Sequence, residues 1–281
     1  MKRLICLFLI IVCLVSFASC KKDEEATTTA PVSEGTTLPL TVTVTFPEGY
    51  TVVQIAELLQ KNNVCPAEEF IDLTNNASYL KNLGYSFISG ITEHKKRPFI
   101  LEGYIFPDTY EFYTNEGAEA ALKRFLDNTE SKLTAEYKIQ AELTGYTIDE
   151  ILTIASIIQE EASEHQHMPN VSSVLHNRIE SADYGKLQCD VTINYINDYV
   201  SDSPYISVNA DSVSENYNTY ECYGLPAGPI TNPGVHAIEA ALYPPETNYF
   251  FFVTDDDWNY YYAETYEEHQ INCENAGLYG R

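Results

Sequence analysis

Three carboxylates stand close together at the end of the run Ile154-Ala155-Ser156-Ile157-Ile158-Gln159-Glu160-Glu161-Ala162-Ser163-Glu164, and a helix would aim each of them differently. Thr147 followed three residues later by Glu150 is a capping box, which starts that helix at Ile148. Stepping about 100° per residue from Ile151 puts Ile154, Ala155, Ile158 and Ala162 in one apolar stripe, within about 60° of its centre. Glu161 falls about 80° from that centre, on the border of the buried face; Glu160 lies roughly opposite and Glu164 well outside. A carboxyl on that border loses hydration, which disfavours the anion and raises its pKa. That is what a general acid for glycosidic cleavage needs. A boundary glutamate tied into a structural salt bridge fits the same pattern, so the helix by itself leaves both readings open.

Other chemistries have less behind them. His165-x-His167 lacks an HExxH frame and runs straight into Met168-Pro169, so it reads as a solvated loop, and neither a metal nor a cofactor is expected. There is no GxSxG elbow, and Cys189 or Cys222 paired with His269 as a nucleophile has only composition to support it. Residues 224–234 are rich in Gly and Pro but lack GxxxxGK[ST], which makes them a rigid loop and not a phosphate cradle.

The elements that would position Glu161 belong to a chain of 281 residues, 44% hydrophobic and 20% charged, long enough for one large domain or two small ones. Its formal charge of −25 repels polyphosphate, so no nucleic-acid partner is expected. The 22 Tyr residues suit a sugar-handling cleft and equally suit a Tyr-rich core. Lys2 and Arg3 precede an apolar run over 4–18, too short for a comfortable membrane span, and residues 1–19 read as a secretory signal. Phe17-Ala18-Ser19-Cys20 resembles a bacterial lipobox with Cys20 as the lipidated residue; an uncleaved anchor is the alternative. Either way the chain is expected on the extracytoplasmic face of the cell membrane, held by its N-terminal anchor. Cys65, Cys189, Cys222 and Cys273 remain beyond it, as disulfides or as buried free thiols.

Residues 20–39, polar and without periodicity, read as a flexible stalk. A strand at 41–46, a turn at 47–49 and helices over 52–59 and 67–73 form a small module ending by residue 97. From 98 onward a larger domain is expected, with an extended aromatic segment at 99–110, one helix over 118–143, the helix from 148, helices near 171–179 and 235–242, strands at 249–253 and 260–262, and a closing helix from about 264. Strands and helices without βαβ alternation make the fold class α+β.

The run Ile154 to Glu161 resembles the catalytic-helix motif of the YceG-like (MltG) endolytic murein transglycosylases, in which the last glutamate is the acid. The resemblance extends to Leu101-Glu102-Gly103-Tyr104-Ile105-Phe106-Pro107-Asp108-Thr109-Tyr110, Val174-Leu175-His176-Asn177-Arg178, Leu187-Gln188-Cys189-Asp190, Tyr217-Asn218-Thr219-Tyr220, Gly224-Leu225-Pro226-Ala227-Gly228-Pro229-Ile230, Asn232-Pro233-Gly234 and Thr265-Tyr266-Glu267-Glu268-His269. Residues 40–97 resemble that family's LysM-like module, placing a small N-terminal module ahead of a larger catalytic domain at 98–281. Two departures touch local contacts: Cys189-Asp190-Val191 stands where the family often has Thr-Asp-Pro, and Tyr260 stands where it often has a His.

The resemblance implies cleavage of the β-1,4 bond between N-acetylmuramic acid and N-acetylglucosamine of peptidoglycan glycan strands, leaving 1,6-anhydromuramic ends, with Glu161 as acid and then base. Glu102, Asn177, Gln188, Asp190, Tyr217, Asn218, Thr219 and Tyr220 are the candidate substrate-binding residues. Asp190 and Glu102 are also the second carboxylates that a muramidase-type hydrolase would require. The basic patch at 94–97 is a solvated loop or a contact for anionic wall polymers. Penicillin-binding proteins and septal membrane proteins are expected partners by family analogy. The competing reading is a non-catalytic, lipid-anchored protein that holds glycan without cutting it.

Overall fold

The computed structural model describes residues 40–91, 94–201, 203–205 and 210–278, so the expected signal, the expected lipid site at Cys20 and the expected stalk lie outside the described residues. Strand β1 (Thr41–Thr45) alternates as its sequence predicts, with Val44 buried. Its partner is β2 (Thr109–Tyr113), antiparallel, with Val44 opposite Tyr110 and Val42 opposite Phe112. Between them come α1 (Val52–Lys61), α2 (Ala67–Thr74) and α3 (Ala77–Leu83). Thr51 and Gln54 start α1 with a reciprocal capping box, and Gly84, at φ +80°, ends α3 in the left-handed conformation that glycine adopts most readily. The small module's sheet is therefore closed by a strand past residue 97, and its hydrogen bonds span the expected boundary.

Edge-on aromatic packing fixes this part of the core. Phe46 and Phe125 rings lie 5.0 Å apart at 81°, Tyr110 and Phe125 4.5 Å apart, and Phe70 closes on Phe125 at 5.9 Å. Phe125 belongs to α4 (Ala118–Lys132), so the first sheet, the first helices and α4 share one interior. The single helix expected over 118–143 is broken in two. Leu133 caps the end of α4, and Thr134 turns extended and caps α5 (Ala135–Thr144) by accepting from Tyr137 N, so one helix stops and the next starts within two residues.

Helix α6 (Ile148–Glu161) begins where predicted, with both bonds of the Thr147/Glu150 capping box formed. Its residues from Ile151 to Ile158 are all buried. It packs against α7 (Met168–Glu180) and α10 (Val235–Leu242), which are tied together by Ser172 Oγ donating to Ala240 O at 2.6 Å. Pro169, in the first turn of α7, donates no N–H where none is needed. The short helices α8 (Asp190–Tyr195) and α9 (Ala210–Tyr217) follow α7 in the chain. Strands β3 (Phe251–Thr254) and β4 (Tyr260–Ala263) pair antiparallel, with α11 (Tyr266–Asn275) against them. Two two-stranded antiparallel sheets among helices make the fold α+β. Among the described residues no helix is long and apolar enough to cross a membrane. Among the described residues Cys65, Cys189, Cys222 and Cys273 are free thiols.

Candidate functional site

Glu161 is the last residue of α6, and the chain turns extended at Ala162. The helix end is pinned from the far end of the sequence: Tyr260 Oη donates to Glu161 O at 2.8 Å and accepts from Ser163 N at 3.1 Å. The half-buried Glu161 side chain lines a cleft of about 330 Å³ together with Arg178, Gln188, Cys189, Asp190 and Tyr220. Burial pushes the Glu161 carboxyl up to about 7; the negative charges of Asp190 and Glu160 act in the same direction, and a hydrogen bond from Cys189 opposes them. A carboxyl poised there is protonated in a large fraction of molecules at neutral pH, so it can donate a proton and afterwards recover one.

Glu160 points elsewhere, as the helical wheel requires. It is exposed along much of its length, but its carboxylate is tucked against Gly49, where a Cβ would come within 2.7 Å of Oε1, and the lost hydration raises its pKa.

Three of the eight expected substrate contacts come together with Glu161. Gln188 is exposed, sits in the left-handed region at φ +56°, and accepts through its side chain from Arg178 Nη2. Asp190 opens α8 and accepts from Tyr220 Oη at 2.6 Å. The remaining five hold the walls. Asn177 gives its amide N–H groups to Thr247 O and Tyr249 O, and Asn218 accepts from Tyr220 N, so both anchor loops.

Glu102, Tyr217 and Thr219 are fully enclosed, which removes them from direct substrate contact. Glu102 accepts from Val52 N and Asn232 Nδ2, both at 3.0 Å, and from Tyr195 Oη at 3.1 Å; its burial raises its pKa to about 8. It caps α1 from inside, and the neighbouring Gly103, at φ +85°, lets the turn lie against Pro229, where a Cβ would stand 2.5 Å away. The Tyr217 ring lies tilted against Tyr195, with centroids 5.7 Å apart, and its hydroxyl has no hydrogen-bond partner. Thr219 is bonded to the backbone of Cys189.

Sequence reasoning missed Arg178, Cys189 and His269 as cleft residues. Arg178 reaches the carbonyls of Lys186 and Phe250, tying the 186–188 loop to the strand-entry segment, and burial lowers its pKa. The His269 ring stacks on Phe251 at 5.1 Å and burial lowers its pKa. All three lie inside the motifs quoted above, so motif position was a better guide than the search for hydroxyls and amides. Among the described residues no group of three His, Cys, Asp or Glu side chains is arranged to hold a metal ion.

The family model of the YceG-like family matches residues 22–275. Among curated relatives, the endolytic murein transglycosylase of Bacillus subtilis is 30% identical over 80% of this chain and 62% of its own length. The endolytic murein transglycosylase of Streptococcus pneumoniae is 27% identical over 83% of this chain and 44% of its own. The chain thus spans between 44% and 62% of the length of these relatives. A solved structure of a yceG-like protein from Listeria monocytogenes superposes with a TM-score of 0.69 at 28% identity, covering 82% of this chain and 75% of that one. With the motifs, the fold and the family model in agreement over nearly all of the described residues, the chain belongs to the YceG-like family.

Proposed function

We propose that the protein is an endolytic lytic transglycosylase of peptidoglycan in which Glu161 is the general acid and base. The observation that carries this reading is a half-buried carboxyl at a pinned helix end, lining an open cleft, with its pKa raised to about 7. Protonated Glu161 gives its proton to O4 of N-acetylglucosamine, the oxygen bonded to muramic C1. The C1–O4 bond breaks, and its electron pair leaves with that oxygen. The muramic 6-hydroxyl oxygen then bonds to C1 while its proton passes to the Glu161 carboxylate. No water is consumed, the new end is a 1,6-anhydro ring, and the acid is regenerated. A single carboxyl suffices because the nucleophile comes from the substrate.

Asp190 in the same cleft supports a second reading, a muramidase-type hydrolase in which it activates water. The structural argument against it is that Tyr220 Oη already occupies one Asp190 oxygen. We read β1, α1, α2 and the closing strand β2 as a LysM-like part that would hold glycan. Cys20 is read as a lipid anchor on the extracytoplasmic face of the membrane. Penicillin-binding and septal membrane proteins are proposed neighbours, because cuts in new strands matter where those strands are made.

The test is digestion of uncrosslinked peptidoglycan by the purified full chain, with mass spectrometry of the ends. Internal cuts with 1,6-anhydromuramic ends are expected. Reducing ends would replace this reading with the hydrolase, and intact strands that still bind would replace it with a wall-binding protein.

A further inference from the structure

The chain's single tryptophan, Trp258, stands in the loop over 255–259 that joins β3 to β4, 62% exposed and at φ +63°. A lone exposed aromatic is ordinary on a protein surface. A bulky residue in the left-handed region is not: its Cβ crowds the backbone, and in short hairpin loops that conformation is the place of glycine or asparagine. Burial of the side chain could offset the cost, but most of the indole faces water. Folding therefore gains little from Trp258, and misfits of this kind belong to binding sites.

The backbone beneath the indole is tied at many points. Trp258 N donates to Asp255 O at 3.1 Å, and Asp255 N donates to Asn259 O at 3.2 Å. The Asp255 carboxylate accepts from Asp257 N at 3.0 Å, and from Asn259 N, Asn259 Nδ2 and Tyr261 Oη, each at 2.9 Å. A loop held in this way presents its side chain with little left to order on binding. The same hairpin serves the cleft. Phe250, Phe251 and Phe252 line it, and Tyr260, two residues after Trp258, donates to Glu161 O at 2.8 Å. At about 3.3 Å per extended residue, the Trp258 backbone lies about 7 Å along the chain from that of Tyr260. Trp258 thus tips the hairpin that both walls the cleft and pins the end of α6.

We propose that Trp258 is a sugar-stacking platform, a binding subsite beside the cleft on which one pyranose ring of the glycan strand lies flat against the indole. This inference rests on the reading of the protein as one that acts on peptidoglycan glycan. The C–H face of a pyranose is apolar and its hydrogens are slightly positive, which matches the negative face of an aromatic ring. Asp255, Asp256 and Asp257 precede Trp258 in the loop. Three carboxylates repel phosphate polymers and anionic lipid headgroups, which leaves an uncharged sugar face as the fitting occupant. A contact away from the bond that breaks is made alike in the ground and transition states, so it adds affinity for a long strand and leaves the chemical step unchanged.

Because Trp258 is the only tryptophan, its fluorescence reports on this position alone. The full chain carrying Glu161→Gln, which leaves strands intact, is titrated with uncrosslinked peptidoglycan glycan strands. Binding is measured in parallel by calorimetry, with and without Trp258→Ala or Trp258→Gly. A saturable change in tryptophan emission is expected at the calorimetric Kd, and either substitution should weaken binding by about 5- to 20-fold. With Glu161 intact, KM should rise in step while kcat stays within about twofold. Trp258→Gly, which suits a left-handed φ, should unfold at the same temperature or higher. Emission unmoved by bound strands, or a Kd unchanged by both substitutions, overturns the inference. Emission that shifts with vesicles of phosphatidylglycerol and phosphatidylcholine but not with strands overturns it too, in favour of a membrane contact. Strands that bind through Trp258 to a wild-type chain that never cuts them sustain the platform and overturn the transglycosylase reading instead; strands that do not bind overturn both.

Discussion

Glu161 and Glu102 are both carboxyls whose burial lifts them toward neutrality, to about 7 and about 8, yet their surroundings could hardly differ more. Glu102 is sealed, and its two oxygens are taken up by a backbone N–H, an amide and a phenol. Glu161 is half-buried and lines an open cleft. A raised pKa therefore does not mark an acid catalyst. Access and spare hydrogen-bonding capacity distinguish the group that can hand over a proton from the one that holds the fold together.

The sharpest way to break this contrast is to replace each carboxyl by its amide. Glu161→Gln keeps the volume and removes the proton, and glycan cleavage should fall by about 10²- to 10⁴-fold, with thermal unfolding unchanged at pH 5, where both side chains are neutral. Residual activity near the wild-type level would move the acid elsewhere.

Glu102→Gln should cut normally and differ instead in how stability depends on pH. Because the folded pKa of Glu102 lies above its ordinary value, the native state keeps a proton that the unfolded chain gives up. Its contribution is fully present at acid pH and is lost as pH rises toward 8. Chemical denaturation of wild type should show that decline, on the order of 3 kcal/mol between pH 5 and 8, and Glu102→Gln should flatten most of it. Glu102→Ala, which strands three buried partners, should lose about 3 kcal/mol at pH 5 and less as pH rises toward 8.

A smaller effect belongs to the cleft's other acid. For Glu161 the protonated form is the active one, so kcat/KM should decline as pH rises through about 7. Asp190→Asn removes a negative charge that raises Glu161, and the limb should shift to lower pH by about half a unit with little loss of rate at its plateau. A collapse of the plateau would give Asp190 the water-activating role.

What could be read in the sequence was what local periodicity controls. The start of α6, the inward tilt of Glu161 and the outward face of Glu160 follow from a capping box and a 3.6-residue repeat. The break between α4 and α5 was hidden because a threonine in a helical pattern reads as tolerable until it caps. Glu102, Tyr217 and Thr219 were misjudged because their neighbours are distant in sequence: Thr219 meets Cys189 across 30 residues, and Glu102 meets Asn232 across 130. Pairing of β1 with β2 across the expected domain boundary is non-local in the same way. Polar residue types announced that something would be hydrogen-bonded, but only the fold says whether the partner is the protein itself or a ligand.

The Tyr260 pin on the end of α6 also sets an order of events. The hydroxyl that fixes the Glu161 backbone comes from 99 residues further along the chain. As the polypeptide emerges from its N-terminus, α6 can coil long before the hairpin that immobilises its last turn exists. A chain interrupted before residue 260 would carry the carboxyl without its anchorage or the late walls of the cleft. On the proposed function, competence to cut is in this way deferred until the β3–β4 hairpin has been made.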